Sequence, residues 1–289
     1  LDINRGNHGS NTGRMLEEIE KILIKNKPDG VLIYGDTDST LAGALAASKL
    51  NIPLFHIEAG LRSYNKRQPE EQNRIVADHL SDICFTPTNI GKSNLLKESI
   101  NEKNIIETGD VMADAARIFN LEDSVSLSLI NKLNVDFKNF ILLTIHRKEN
   151  TDSKKNLIEI FEALKEIDKT IIFPLHPRTK QKIKEYQLQS HIQNLKIINP
   201  MSFKEMLVLE KNALLIITDS GGIQKESYMQ KTPSVTLRDQ TEWTELLNQG
   251  NNILATPLTK NKIIECINKQ ITTEIDYEKN LYGDGHASE

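Results

Sequence analysis

Short apolar runs, each closed by a polar turn and separated by longer amphipathic stretches, constrain this chain more than any other feature of it. Gly30-Val31-Leu32-Ile33-Tyr34-Gly35 is apolar without alternation and too short for a core helix, so it reads as a buried strand that ends at Asp36. Upstream, Met15, Leu16, Ile19, Ile22 and Leu23 recur at helical spacing, and Pro28 closes that helix. Thr40–Leu50 is rich in Ala and Leu and predicts the next helix; Ile52–Ile57 and Ile83–Phe85 predict further strands. This β-α-β punctuation calls for a parallel sheet covered by helices on both faces.

A polar, irregular stretch from Leu121 to Asn139 breaks the series. A second series follows, with strands expected near Phe140–Ile145, Thr170–Phe173, Leu195–Ile198, Leu214–Thr218 and Pro233–Leu237, and helices over Lys154–Ile167 and Phe203–Lys211 among others. The expectation is an α/β protein of two Rossmann-like, doubly wound domains facing a cleft. Residues 1–120 form the first, 138–275 the second, and 276–289 a segment returning toward the first. The 289 residues suffice for two such cores.

Composition excludes several classes. The 36 basic and 40 acidic side chains leave a net charge of −4, which argues against a broad nucleic-acid surface. No run approaches the roughly 18 apolar residues of a spanning helix, so no membrane role is expected. The two cysteines, Cys84 and Cys266, lie far apart in apolar stretches without metal-ligand spacing. They read as buried free thiols, and the pattern suits a reducing cytoplasm.

In open parallel sheets ligands bind beyond the carboxyl ends of the strands, so motifs at strand ends carry the functional weight. Gly35-Asp36-Thr37-Asp38-Ser39-Thr40 places Asp36 where a carboxylate would face the cleft, although Asp36 or Asp38 could equally cap the helix. Glu58, in His56-Ile57-Glu58-Ala59-Gly60-Leu61-Arg62-Ser63, ends a buried strand, where an ionised carboxylate needs a cation or a shifted pKa. Arg62, Arg67 and Arg74 are its candidate partners, and a purely structural ion pair is the alternative. His146 and Arg147 end the first strand of the second series and offer a proton carrier and a phosphate clamp. His176 also follows a strand and is equally a turn residue. Thr218-Asp219-Ser220-Gly221-Gly222-Ile223-Gln224-Lys225-Glu226-Ser227 runs from strand to helix through a turn whose free amides suit a diphosphate. Glu226 could reach ribose hydroxyls, and Arg238 and Glu242 lie past the next strand. There is neither a P-loop nor a dinucleotide fingerprint.

Taken in order, GDTDST at 35–40, HIEAGLRS at 56–63, PEEQNR at 69–74, HRKEN at 146–150, TDSGGIQKES at 218–227, RDQTEWTE at 238–245 and YGDGHASE at 282–289 resemble the non-hydrolysing UDP-N-acetylglucosamine 2-epimerases. The resemblance implies two Rossmann-like domains as in GT-B glycosyltransferases. It implies inversion at C2 of a UDP-N-acetylhexosamine with no cofactor and no metal. In that reaction UDP is eliminated across C1–C2 to leave a bound 2-acetamidoglucal, and adds back after C2 receives a proton on its opposite face. Carried over by position, Asp36, Glu58, Glu70 and His146 are the catalytic candidates. Arg147, Ser220, Gly221, Gly222, Glu226 and Arg238 are the UDP-binding candidates. A homodimer is implied as well.

The family's opening strand and Arg-Pro-Glu loop are not found in these residues, and a longer parent chain is expected. Thr241-Glu242-Trp243-Thr244-Glu245 and the segment before the first helix resemble a branch that includes enzymes of UDP-2,3-diacetamido-glucuronate. A hydrolysing epimerase is the next alternative, but it carries Gly-Gly-Glu where this chain has Glu58-Ala59-Gly60. A glycosyltransferase would need no proton shuttle at C2. A catalytically inactive nucleotide-sugar-binding protein is the remaining reading.

Overall fold

Strands this short and this apolar satisfy their backbone groups only by pairing side by side, with helices covering both faces. The computed structural model of the protein describes residue 3 and residues 6–119 and 123–289, and shows two parallel sheets. The first, among the described residues, is buried on one face only, so Val31–Tyr34 leaves Leu32 and Tyr34 exposed instead of forming the buried strand expected from its apolar run. The first sheet contains β1 (Val31–Tyr34), β2 (Leu54–Ile57), β3 (Ile83–Thr86) and β4 (Ile105–Glu107), all parallel, in the order β1-β2-β3-β4. The second contains β5 (Phe140–Thr144), β6 (Thr170–Pro174), β7 (Lys196–Ile198), β8 (Leu215–Thr218), β9 (Ser234–Thr236) and β10 (Asn252–Leu254). It too is parallel, in the order β10-β9-β8-β5-β6-β7. The chain winds outward from β5 to β7, returns, and winds outward again from β8 to β10. The reversal between β5 and β8 is a topological switch point.

The chain divides into two compact units, one of residues up to Asp114 together with Leu281–Glu289, the other Ala115–Asn280. In the second unit the pleat sorts each central strand between two cores. Ile141 and Leu143 of β5 face one buried cluster with Ile171, Phe173, Leu215 and Ile217; Phe140 and Leu142 face the other with Ile172 and Ile216. Helices Lys154–Lys165 and Lys260–Thr272 close the first cluster through Leu157, Ile160, Phe161, Leu164, Ile263, Cys266 and Ile267. The first unit packs tightly by another route. Helix Asp38–Lys49 presents Ala44, Ala46 and Ala47 to Leu23, Ile33 and Leu54, and side chains this small let neighbouring helices approach closely.

Part of the stretch read as irregular between 121 and 139 is a helix, Asp123–Lys132. Leu129, Ile130 and Leu133, spaced along one face, pack it onto the second core; Leu121 and Glu122 lie outside the described residues. Both cysteines are buried and free. Among the described residues no helix is long and apolar enough to cross a membrane.

Candidate functional site

In the first unit Tyr34 of β1 pairs with Ile57 of β2, so the residues that follow these strands emerge side by side. Gly35 turns out of β1 with φ +62°, and Glu58 leaves β2 at φ +70°, a left-handed conformation that a side chain seldom adopts. A Cβ on Gly35 would stand 3.2 Å from Oε2 of Glu58, so the carboxylate lies over the glycine. Asp36 follows directly. The N-cap of helix Asp38–Lys49 is Thr37, so Asp36 stands outside the helix, and Asp38 in its first turn accepts from His8 Nδ1 at 2.7 Å.

A buried cation underlies this pair of strand ends. His56 is wholly buried, with Nε2 2.8 Å from the Gly35 carbonyl oxygen and Nδ1 2.7 Å from Oδ1 of Asp78. A carbonyl and a carboxylate both accept, so both ring nitrogens donate and the ring is an imidazolium. Burial works against that charge, but the Asp78 hydrogen bond and charge, the Gly35 carbonyl and Glu58 together raise the His56 pKa above its ordinary value. Asp78 also accepts from Arg62 Nη1 at 2.7 Å and Gly60 N at 3.2 Å. Arg62 forks onto Glu98 at 2.7 and 2.6 Å, which corrects its reading as a partner for Glu58. Its guanidinium belongs to the structural network behind the site.

Helix Pro69–Leu80 supplies the other wall of the first unit's cluster, with Pro69 at its start. It separates two adjacent glutamates. Glu71 is buried and accepts from Ser63 N, Ser63 Oγ and Tyr64 N, which fixes the preceding loop. Glu70 is only partly buried. One turn on, Arg74 is almost wholly buried, with Nη2 3.4 Å from Oδ2 of Asp36 and Nε 3.2 Å from the Glu70 carbonyl. Its Nη1 is buried without an acceptor among the described residues, which marks it as a donor available to a ligand.

In the second unit the site forms at the switch point. Thr144 and Thr218 end β5 and β8 in register and share a 2.6 Å hydroxyl contact. The wholly buried Asp219 then bolts the two strand ends together. It accepts from His146 N, Arg147 N and Asn150 Nδ2 at 3.0–3.1 Å. The roles of Asp219 and Asn150 were not read from the sequence. Burial lowers the His146 pKa; Asp219 opposes this, while His176 and Arg147 add to it. The His176 ring lies 5.6 Å from that of His146. Its Nδ1 accepts from Arg178 N at 3.2 Å as the N-cap of helix Pro177–Glu185, so it is both turn residue and neighbour to the site.

Ser220 is the N-cap of helix Gly221–Met229, its hydroxyl accepting from Ile223 N. The amides of Gly221 and Gly222 lie in the first turn, where no carbonyl of the same helix can receive them. A Cβ on Gly221 would stand 2.7 Å from Oε1 of Glu242 and 3.4 Å from Nη2 of Arg147. A side chain there would displace the Glu242 carboxylate from the turn. Arg238 pairs with Glu242 at 3.1 Å and so borders the same turn. Glu226 is nearly buried and reaches back along its helix, with Oε1 3.7 Å from where a Gly222 Cβ would be. Beyond β6 and β7 opens a cavity of about 570 Å³ lined by Leu175, Pro177, Lys180, Ile197, Ile198, Asn199 and Pro200.

Residues 1–289 match the family model described as UDP-N-acetylglucosamine 2-epimerase. A UDP-N-acetylglucosamine 2-epimerase homolog of Methanococcus maripaludis is 48% identical over 292 residues, spanning 100% of this chain and 81% of that protein. The UDP-2,3-diacetamido-2,3-dideoxy-D-glucuronate 2-epimerase of Pseudomonas aeruginosa is 46% identical, spanning 100% and 80%. A crystal structure of Methanocaldococcus jannaschii UDP-GlcNAc 2-epimerase in complex with UDP-GlcNAc and UDP superposes with a TM-score of 0.90 at 44% identity. It covers 99% of this chain and 81% of that one.

Proposed function

Since the chain belongs to the UDP-N-acetylglucosamine 2-epimerase family, we propose that it inverts C2 of a UDP-N-acetylhexosamine, converting UDP-GlcNAc to UDP-ManNAc. The observation that carries this reading is the pair of carboxylates, Asp36 and Glu58, presented by adjacent strand ends over a buried cation.

The reaction begins when a base takes the C2 proton and the C1–O bond to UDP breaks. The product is a 2-acetamidoglucal and a UDP whose diphosphate carries the released electron pair. Inversion follows when an acid returns a proton to the opposite face of C2 and UDP re-forms the bond at C1. Two faces require two proton carriers, and Asp36, Glu58 and Glu70 are the carboxyls proposed for them. Arg74, with one donor unpaired, would hold a sugar oxygen or one of these carboxylates in place. His146, held neutral by burial, would donate to or accept from the glycosidic oxygen.

The leaving group needs stabilisation where its charge grows. The amides of Gly221 and Gly222, the positive end of their helix and Arg147 would meet the diphosphate, with Ser220 and Arg238 beside them. Glu226 would receive the ribose hydroxyls. The apolar cavity beyond β6 and β7 opens on the same side of that sheet and would take the flat uracil ring.

The test is proton NMR in deuterated water with UDP-GlcNAc as substrate. Solvent deuterium should enter C2 while the sugar stays linked to UDP; free N-acetylmannosamine would show hydrolysis instead. Asp36→Asn and Glu58→Gln should each lower turnover by about 10²- to 10⁴-fold and leave UDP binding nearly intact. Near-normal turnover in either variant removes that residue from proton transfer. The similarity to the diacetamido-glucuronate epimerase favours a second substrate, so the same assay with that UDP-sugar decides which is turned over faster.

A further inference from the structure

Gln224 lies one turn into helix Gly221–Met229 and is wholly buried. A buried amide costs free energy unless its polar atoms find partners, so the positions of those partners show what it holds together. Nε2 donates to the Ser220 carbonyl at 3.2 Å. Oε1 accepts from Thr241 Oγ1 at 2.6 Å and from Asn252 Nδ2 at 3.0 Å, which uses both lone pairs of that oxygen. The same neighbours fix which way the amide faces. Asn252 turns its nitrogen to Gln224 because its own oxygen takes the Thr236 hydroxyl at 2.8 Å. Thr241 gives its proton to Gln224 while its oxygen receives Trp243 N at 3.2 Å. Thr241 and Asn252 are 17 and 28 residues away in the chain, so the contacts are tertiary and tie the helix start to two other segments.

Two parts of the diphosphate site assigned above meet at this side chain. The Ser220 carbonyl and the Gly221 N–H belong to one planar trans peptide and point opposite ways, so a donor that holds the oxygen also aims the N–H. Thr241 begins the short segment that carries Glu242 and Trp243. Oε1 of Glu242 and Nε1 of Trp243 lie 2.7 and 3.7 Å from where a Gly221 Cβ would stand. We propose that Gln224 is a positioning residue for the diphosphate: its one amide locks the Ser220–Gly221 peptide to the Thr241–Trp243 segment and so holds the Gly221 N–H in line for the phosphate oxygens. The inference rests on the reading of Ser220–Glu226 as a UDP site. It gives a wholly buried side chain, which never touches the nucleotide, the alignment of a donor that does. Charge grows on the diphosphate as the C1–O bond breaks, so this alignment counts in turnover as well as in binding.

Gln224→Met, Thr241→Val and the double variant test it. Met keeps the shape of the side chain and removes all three bonds, whereas Val removes the link to the 241–243 segment and keeps the bond to Ser220. Affinities for UDP and for uridine, which lacks the phosphates, are measured by ligand-observed NMR, with kcat on UDP-GlcNAc alongside. Gln224→Met should weaken UDP by about tenfold, the scale of one hydrogen bond to a charged group, lower kcat by about tenfold or more, and leave uridine within about twofold. Thr241→Val should weaken UDP by about threefold, and the double variant should bind UDP as Gln224→Met does, because both changes break the same bond. UDP and uridine weakened by the same factor would mean that Gln224 serves the fold alone, and that overturns the proposal. Unchanged UDP affinity and kcat would overturn it too, as would additive losses in the double variant. If Gln224→Met does not fold, Thr241→Val decides by the same comparison: UDP weakened with uridine unchanged supports the proposal, and equal effects on the two overturn it. Wild type binding UDP no more tightly than uridine would instead overturn the diphosphate site itself.

Discussion

His56 is a fixed cation in this fold, because each of its ring nitrogens meets an acceptor and neither meets water. The linkage has a definite sign. Its folded pKa is raised above the ordinary value of 6.5, so its contribution to stability is complete below that value. The contribution is lost as pH rises through the higher folded pKa. His56→Gln should therefore cost about 3 kcal/mol near pH 6, the scale of breaking a buried charge pair, and progressively less toward alkaline pH. Urea unfolding across that range measures it; a cost independent of pH would mean that the ring is neutral in the native state. The same residues show what a linear reading can recover. The strand-end positions of Asp36 and Glu58 were legible because each comes just after an apolar run, although the run before Asp36 leaves Leu32 and Tyr34 exposed. The partner of Arg62 was not, since Asp78 and Glu98 lie 16 and 36 residues away and nothing local distinguishes them from other surface-type acids.

At the scale of elements, strands with an unbroken apolar run were readable, and of the three-residue strands β7 and β9 were expected while β4 and β10 were not. β4 buries only Ile105, and β10 carries Asn252 inside, where its side chain bonds Thr236, Ser234 and Gln224 instead of packing against an apolar core. A polar residue inside a short strand hides the period that would reveal it. Gly60 shows how tightly these elements are fitted. Its φ is +83°, and a Cβ there would stand within 2.9 Å of the Gly91 Cα in the helix that follows β3. Both the backbone angle and the crowding oppose a side chain, and the Gly60 amide also donates to Asp78. Gly60→Ala should destabilise the first unit by about 2–4 kcal/mol, whereas Gly250→Ala, at a helix end with open space around it, should cost less, about 1 kcal/mol. Thermal melts of the two variants make the comparison, and equal losses would show that crowding at Gly91 is relieved by movement.

At the scale of the whole molecule, the last residues of the chain are structural parts of the first unit even though the second is completed before them. Tyr282 is almost wholly buried and its carbonyl accepts from Asp110 N at 2.9 Å. Asp114 accepts from Ala287 N, Ser288 N and Ser288 Oγ at 2.7–2.9 Å. Gly109 and Gly283, both at positive φ, let the two backbones approach closer than any side chain would allow. Removing Leu281–Glu289 therefore strips three donors from a buried carboxylate and an aromatic ring from the first unit, a loss of several hydrogen bonds at about 1 kcal/mol each plus the buried ring. The second unit keeps its own anchor, the 2.6 Å hydrogen bond from Tyr228 to the Lys279 carbonyl. Hydrogen exchange on the shortened chain should show protection falling in β1–β4 and holding in β5–β10. Saturating UDP, at about 100 times its Kd, should then add about 2.7 kcal/mol of protection to the second unit, where its diphosphate and ribose contacts are proposed to lie. Protection lost evenly from both sheets would mean that the two units unfold as one, and UDP protection confined to the first unit would move the nucleotide site away from Ser220–Glu226.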